Sequence, residues 1–194
     1  MVGRTAREAI AELWTRQLLR IRAFEPRVRG GSSPEAVHQM RVALRRVRAG
    51  LSVLRPLLKQ DGFAQELAWL AKTLGEVRDR DVLLAILREE YPDEIGLAVA
   101  MKVERDQAVQ AARKALASAR YRELLTHAPA LSRDAPMIAI APDVLRRRGR
   151  RWRAACAKAE SPEDWHEARI LGKKLRYALE LFSPETPFAG EAAD

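Results

Sequence analysis

Apolar residues recur at intervals of three and four along most of the chain, and no stretch shows the alternation of apolar and polar positions that marks a half-buried strand. Alanine, leucine, arginine and glutamate, which dominate the sequence, favour helices. The pattern therefore predicts an all-α protein made of antiparallel helical bundles. No segment approaches the roughly 18 consecutive apolar residues that a membrane span needs, so we expect no membrane partner.

Capping residues and prolines divide the periodic sequence into seven predicted helices. Thr5 can cap a first helix that ends near Phe24, before Pro26, and Ser33 with Pro34 opens a second that runs to about Lys59. Further helices are predicted over about 63–90, 93–117, 119–127 (capped by Ser118) and 143–159, and a last one opens at Ser161-Pro162-Glu163. The stretch 128–142, with three prolines, is predicted to be a linker.

The predicted organisation is one domain over 1–194 with two halves. The first half covers about 1–127, the linker about 128–142, the second half about 143–183, and an irregular tail 184–194. The single cysteine, Cys156, excludes an internal disulfide and fits a reducing compartment. No signal sequence is evident, so we expect a cytoplasmic location.

The chain contains an internal repeat with an offset of 128 residues. The segment 33–56, SPEAVHQMRVALRRVRAGLSVLRP, aligns with 161–184, SPEDWHEARILGKKLRYALELFSP. The alignment pairs these identical residues: His38 with His166, Arg41 with Arg169, and Arg48 with Arg176. A period this long is typical of a duplicated helical half, so we expect two pseudo-symmetric halves. Nothing after the second copy matches 63–90, which predicts a truncated second half.

Each copy of the repeat places basic residues on one side of a helix and apolar residues on the other. At roughly 100° per residue, one sector of the first copy holds His38, Arg41, Arg45 and Arg48, and Lys59 continues it. The corresponding sector of the second copy holds His166, Arg169, Lys173 and Arg176. The opposite sectors are predicted core, with these apolar residues in the first copy and then in the second: Met40, Ala43, Leu44, Val47, Leu51 and Leu54; Ala168, Leu171, Leu175, Leu179 and Phe182. If the halves pack about a pseudo-two-fold axis, the basic sectors could face each other across a groove or pore.

The positive charge exceeds what helix stability requires. Between Pro34 and Lys59 the chain has six Lys or Arg and one acid, Glu35. Like charges at helical spacing cost about 0.2–0.5 kcal/mol per pair, so a bound polyanion would offset a small instability. The whole chain carries 35 Lys and Arg against 26 Asp and Glu, a formal net charge of +9, which is typical of a protein that binds a polyanion.

Phosphate suits these side chains. Arginine can hold two phosphate oxygens, lysine adds a movable point charge, and histidine can donate a hydrogen bond. Aromatic residues make up only 6% of the chain, which disfavours platforms for stacking bases. The sequence therefore predicts binding of a linear polyphosphate, without a cofactor, through many contacts. Further candidates on the predicted helix 143–159 share one face, although a solvated surface explains them equally well: Arg146, Arg150 and Arg153.

Three other functions are left open by the sequence. Weak, nonspecific nucleic-acid binding is the nearest, because phosphate contacts do not distinguish DNA from polyphosphate, but the chain has no Asn for reading bases. A metal-dependent phosphohydrolase would use Asp79 and Asp81, whose spacing of two separates them around a helix. We expect these acids to balance nearby arginines instead. A scaffold for acidic proteins is the third alternative, and His127 is expected on the surface.

Three segments together resemble the CHAD domain family, the conserved histidine α-helical domain: VHQMRVALRRVRAGLSVLRPLL, LAWLAKTLGEVRDRDVLL and WHEARILGKKLRYALELF. The resemblance implies two four-helix halves around a basic pore, binding of inorganic polyphosphate, association with polyphosphate granules, and no enzymatic activity of the domain. Carried over position by position, it implies ligand contacts from His38, Arg41, Arg45, Arg46, Arg48, His166, Arg169, Lys173, Lys174 and Arg176. The closing helices of the family are missing here, and a homodimer could supply that packing.

Overall fold

The computed structural model describes residues 3–31 and 33–184, which form seven α-helices. In chain order they are α1 (Ala6–Gly30), α2 (Pro34–Leu54), α3 (Phe63–Glu90), α4 (Ile95–Ala117), α5 (Ala119–Thr126), α6 (Met137–Lys158) and α7 (Pro162–Phe182), with a 3-10 turn at Arg55–Leu57. The described ranges contain no β-strand, so the all-α prediction is confirmed. None of the described helices is long and apolar enough to span a bilayer. The predicted tail, apart from residue 184, lies outside the described residues.

Hydroxyl caps begin four helices, as the sequence predicts. Thr5, Ser33, Ser118 and Ser161 each accept, at the side-chain oxygen, a hydrogen bond from the backbone N–H three residues later. At Ser161 the cap is reciprocal, because the Asp164 carboxylate accepts from the Ser161 N–H. These bonds satisfy N–H groups that a helix leaves without a partner in its first turn, so they determine where each helix begins.

Two predicted boundaries at prolines are wrong, because an interior proline weakens a helix through a lost hydrogen bond and a steric clash but does not always end it. α1 continues through Pro26 to Gly30 instead of ending at Phe24. α6 begins at Met137 and contains Pro142, so residues 137–142 of the predicted linker are helical. A third boundary is wrong in the other direction: α2 ends at Leu54, and Pro56 lies in the 3-10 turn that follows.

The internal repeat reappears in the helix boundaries. α1 ends at Gly30 and α6 at Lys158, while α2 spans Pro34–Leu54 and α7 spans Pro162–Phe182, so all three boundaries differ by 128 residues. Both α2 and α7 contain 21 residues. The repeated element is therefore a pair of successive helices joined by a short connection, α1 with α2 and α6 with α7. The two pseudo-symmetric halves around a groove, and the domain limits drawn from the sequence, stay predictions.

The contacts divide the chain into two compact units. The first unit comprises Met1–Trp14, Ala49–Lys59 and Pro129–Asp194, and the second comprises Thr15–Arg48 and Gln60–Ala128. In the first unit the extended segment before α6 is held by backbone bonds, from the Ala6 N–H to the Ala135 carbonyl at 2.8 Å and from the Lys59 N–H to the Ala130 carbonyl at 2.9 Å. This segment is therefore an integral part of its unit.

The predicted core of α2 is confirmed. All six apolar residues named for its buried side are at most 5% exposed: Met40, Ala43, Leu44, Val47, Leu51 and Leu54. On α7 the prediction holds for Ala168 and Phe182, which are buried, whereas Leu171, Leu175 and Leu179 are half-buried. α7 thus buries its apolar side less completely than α2 does.

In the second unit, arginines of α4 hold the C-terminal end of α1. Arg113 donates to the carbonyls of Arg29 at 2.6 Å and Gly30 at 2.7 Å, and Arg105 donates to the Gly31 carbonyl at 3.1 Å. The last carbonyls of a helix lack partners within it, and cations near that end also interact favourably with the helix dipole. Arg105 in addition donates from Nε to the buried Asp81 carboxylate of α3 at 2.8 Å.

We expect Asp81→Ala to lower the free energy of unfolding by about 3 kcal/mol, because it removes the buried carboxylate that pairs with the largely buried Arg105 guanidinium and leaves only the exposed Asp106 carboxylate, at 3.5 Å. Glu104→Ala is the matched control, since the adjacent Arg80–Glu104 pair, at 3.4 Å, joins the same two helices at the surface. Its loss should change the free energy by less than about 1 kcal/mol. Urea unfolding of both variants measures the difference, and equal losses would contradict the assignment.

Candidate functional site

The positions at which both copies of the repeat carry a basic residue form two sets of side chains, one on α2 and one on α7. The α2 stripe consists of His38, Arg41, Arg45, Arg46 and Arg48, and lies in the second unit. The α7 stripe consists of His166, Arg169, Lys173, Lys174 and Arg176, and lies in the first unit. Arg46 and Lys174 each follow a stripe residue directly, so they extend from the helix about 100° away and broaden the basic surface.

The α2 stripe is partly buried. Arg45 and Arg48 are exposed, whereas His38, Arg41 and Arg46 are half-buried. A bound anion would therefore reach Arg45 and Arg48 most directly. The burial of the other three shows that α2 packs against neighbouring helices over more than its apolar sector.

Arg41 is held against α3. Its Nη1 donates to the Ala71 carbonyl at 3.0 Å, and a Cβ placed on Gly75 would lie only 2.5 Å from the same nitrogen. Gly75 thus leaves the room in which the guanidinium lies. Burial lowers the pKa of Arg41, as do the charges of Arg45 and Arg78, while Asp79 acts in the opposite direction. Arg41 therefore contributes to helix packing as well as to the positive potential.

Arg78 of α3 adds a cation to the α2 stripe that the sequence did not assign to it. It is half-buried, and its charge is among those that lower the pKa of Arg41. The small residues Ala71 and Gly75, at helical spacing before Arg78, were the available signal that α2 approaches this face of α3.

The two acids considered for metal catalysis have separate surroundings. Asp81 is buried and bonded to Arg105, while Asp79 is exposed and interacts electrostatically with Arg41. Within the described ranges, no group of three or more His, Cys, Asp or Glu side chains is arranged to hold a metal ion. Both acids balance arginines, as expected: Asp81 pairs with Arg105 of α4, and Asp79 interacts with Arg41 of the basic helix α2.

Lys59 does not continue the α2 stripe. The helical spacing that placed it there requires α2 to run to residue 59, but α2 ends at Leu54 and the 3-10 turn ends at Leu57. Lys59 instead follows that turn, in extended chain bonded to the Ala130 carbonyl. Its predicted position on the helix is wrong, and a role in binding is left without support from helical geometry.

The α7 stripe is exposed along its whole length. Arg176 lies 3.5 Å from the Glu180 carboxylate and 5.2 Å from the centre of the Tyr177 ring. Among residues 3–31 and 33–184, no carboxylate lies within ion-pair distance of the other three cations, Arg169, Lys173 and Lys174. An anion in solution can therefore approach these three side chains directly.

The arginines of α6 serve different purposes. The three candidates Arg146, Arg150 and Arg153 are exposed, and Arg146 pairs with Asp143 at 3.1 Å. Arg148, which the sequence analysis did not select, is half-buried and donates to the Lys174 carbonyl at 2.9 Å and to Ser52 Oγ at 2.7 Å. Burial, and then the neighbouring charges of Arg147 and Arg151, lower its pKa.

Arg148 positions α7 through its bond to the Lys174 carbonyl. It lies four residues after the buried Val144, and this spacing could have indicated from the sequence that it is on the packed side of α6. A second close contact involves Gly172, where an added Cβ would lie 3.1 Å from Trp152 Nε1. Gly172 thus lies where α6 packs closely against α7. His127 is exposed, as predicted.

We predict that Arg148→Ala lowers the free energy of unfolding by about 1–2 kcal/mol, because the Lys174 carbonyl and the Ser52 hydroxyl both lose a charged donor. Arg147→Ala removes the same side chain one residue earlier, where it is exposed. Its effect should stay within about 0.5 kcal/mol. Chemical denaturation distinguishes the two, and a larger loss for Arg147→Ala would overturn the structural role of Arg148.

Comparison with known proteins points to one family. Residues 12–194 match the profile of the CHAD domain. The structure is similar to that of the CHAD domain from the plant Ricinus communis, with a TM-score of 0.78 and 25% identity over 93% of this chain and 66% of that one. It also shares its fold with PptA from Streptomyces chartreusis, with a TM-score of 0.70 and 22% identity over 90% of this chain and 74% of that one. No curated protein matches the sequence.

Proposed function

The chain belongs to the CHAD domain family, and from this premise we propose that it binds inorganic polyphosphate through the exposed cations of the α2 and α7 stripes. The supporting observation is the isolation of Arg169, Lys173 and Lys174 from every carboxylate of the described residues. Some cations elsewhere in the chain are paired with acids, for example Arg105 with Asp81 and Arg120 with Glu66. Exposed like charges that no acid offsets favour the binding of an external polyanion.

The spacing within the α7 stripe suits a linear ligand. Arg169, Lys173 and Arg176 follow one another at intervals of four and three residues, so they form a row along the helix with about 4.5–6 Å of axial rise between neighbours. A chain of phosphates can contact successive cations of such a row. Each contact made at the surface contributes little, so the affinity comes from their number and falls as salt rises.

The two stripes differ in how much of their charge is available. In the α2 stripe, Arg41 is bonded to α3, and the cations most open to solvent are Arg45 and Arg48. In the α7 stripe, all five side chains are exposed. We therefore expect the α7 stripe to contribute more to the binding energy. The proposal includes no catalysis by this chain, and it extends to a cytoplasmic location at polyphosphate granules.

The decisive variant removes two charges from one stripe. Arg169→Ala combined with Lys173→Ala should weaken binding of long-chain polyphosphate about tenfold, because two surface contacts of up to about 1 kcal/mol each are lost. Lys102→Ala combined with Lys114→Ala is the matched control, since both lysines are exposed on α4 and the formal net charge falls by the same two units. Titration at near-physiological salt should show less than about a twofold change for the control.

A duplex DNA competitor separates polyphosphate binding from general polyanion binding. The proposal predicts that polyphosphate binds more tightly than duplex DNA at equal phosphate concentration. Equal loss of affinity in both double variants would show that only net charge matters. Tighter binding of duplex DNA would replace the proposal with a nucleic-acid-binding function.

A further inference from the structure

Trp165 is an exposed aromatic side chain on α7, next to the α7 stripe. It is 55% exposed and precedes Arg169 by four residues, so the indole and the guanidinium lie on the same side of α7. Burying an indole is strongly favourable, and an exposed one beside cations is a common element of surfaces that bind bases joined to phosphates. The polyphosphate proposal gives this ring no role.

A second indole lies along the same side of the helix. Trp152 of α6 is 38% exposed, and its Nε1 would lie 3.1 Å from a Cβ placed on Gly172 of α7. Arg169 and Arg176 are three residues before and four residues after Gly172, so they lie on the same side of α7 as Gly172. Trp165, Arg169, the Trp152 ring over Gly172, and Arg176 thus alternate along α7, with about 10 Å of axial rise between Trp165 and Gly172.

The first copy of the repeat lacks this arrangement. Val37 occupies the position aligned with Trp165, and it is only 4% exposed. The other two tryptophans make contacts within the fold. Trp14 is buried, and the Arg120 guanidinium lies over the Trp69 ring, 4.1 Å from its centre. Exposed indoles beside cations are therefore a property of the α7 stripe and not of both stripes.

We propose that the α7 stripe binds ligands in which unpaired nucleobases are joined to phosphates, with a base stacked on Trp165 and phosphates on Arg169 and Lys173. The alternation of rings and cations supports this assignment, because stacking needs a free base face and each phosphate needs a neighbouring cation. This inference rests on the proposed function in one respect, because both assign phosphate binding to the same cations. Single-stranded nucleic acid and free nucleoside polyphosphates both carry the required chemistry.

The test compares Trp165→Ala with the unchanged protein on four ligands: a short single-stranded oligonucleotide, a nucleoside triphosphate, a duplex of the same length as the oligonucleotide, and polyphosphate. Loss of one stacked base should weaken oligonucleotide binding by at least about fivefold. Trp165→Phe, which keeps an aromatic ring, should restore most of that loss. Binding of polyphosphate and duplex should change by less than about twofold.

Tyr91→Ala provides the matched control. Tyr91 is also 55% exposed, but it lies in the second unit, after α3, and it is not part of either stripe. Its removal should leave every affinity unchanged. Circular dichroism of each variant checks that helicity is retained, which is expected because the Trp165 side chain is largely exposed.

The outcomes separate this inference from the polyphosphate proposal. Oligonucleotide affinity that depends on Trp165, in a chain that does not bind polyphosphate, would support the inference and refute the proposed function. Affinity for both base-containing ligands that does not change in Trp165→Ala would refute the inference, whatever happens with polyphosphate. If Trp165→Ala weakens binding of the nucleoside triphosphate alone, the ligand is a free nucleotide. If it weakens binding of the oligonucleotide alone, the ligand is single-stranded nucleic acid.

Discussion

Helices α2 and α7 each bury an apolar side while like charges line the opposite side, and the rest of the structure depends on this division. Met40, Leu44 and Val47 on α2 are fully buried, so that helix cannot rotate to hide its arginines without exposing its core. The cations are thereby fixed at the surface, where they repel one another at helical spacing. Packing energy from one side of the helix sustains an electrostatic cost on the other, and a polyanion removes that cost.

The arginines of the chain divide into two functional groups, and net charge alone does not reveal the division. Arg105, Arg113 and Arg148 donate to backbone carbonyls and hold helices to one another. Arg48 and Arg169, by contrast, are exposed, and no described carboxylate lies within ion-pair distance of either. Arg41 belongs to both groups, since it bonds to the Ala71 carbonyl and still adds to the potential of the α2 stripe. The part of the +9 charge that is open to a ligand is therefore smaller than the sequence indicates.

Local signals made much of the fold predictable. Ser33, Ser118 and Ser161 cap helices because their hydroxyls bond to nearby N–H groups, which is a property of a few adjacent residues. The same locality explains the errors at Pro26 and Pro142, where packing of the surrounding helix outweighs one missing hydrogen bond. The partners of Arg148 and of the Trp152 indole were beyond prediction for a related reason. Periodicity within α6 can indicate which side of the helix is packed, but the residues of α7 that they contact are brought close only by the tertiary fold.

The dependence of polyphosphate affinity on salt concentration tests the central claim most directly. If phosphates bind the stripe cations, the logarithm of the affinity falls linearly with the logarithm of the salt concentration, and each lost contact reduces the slope by about one. We expect that reduction for Arg169→Ala and for Lys173→Ala, and no reduction for Lys114→Ala on α4. A slope that is the same in all three variants and in the unchanged protein would contradict binding at the α7 stripe.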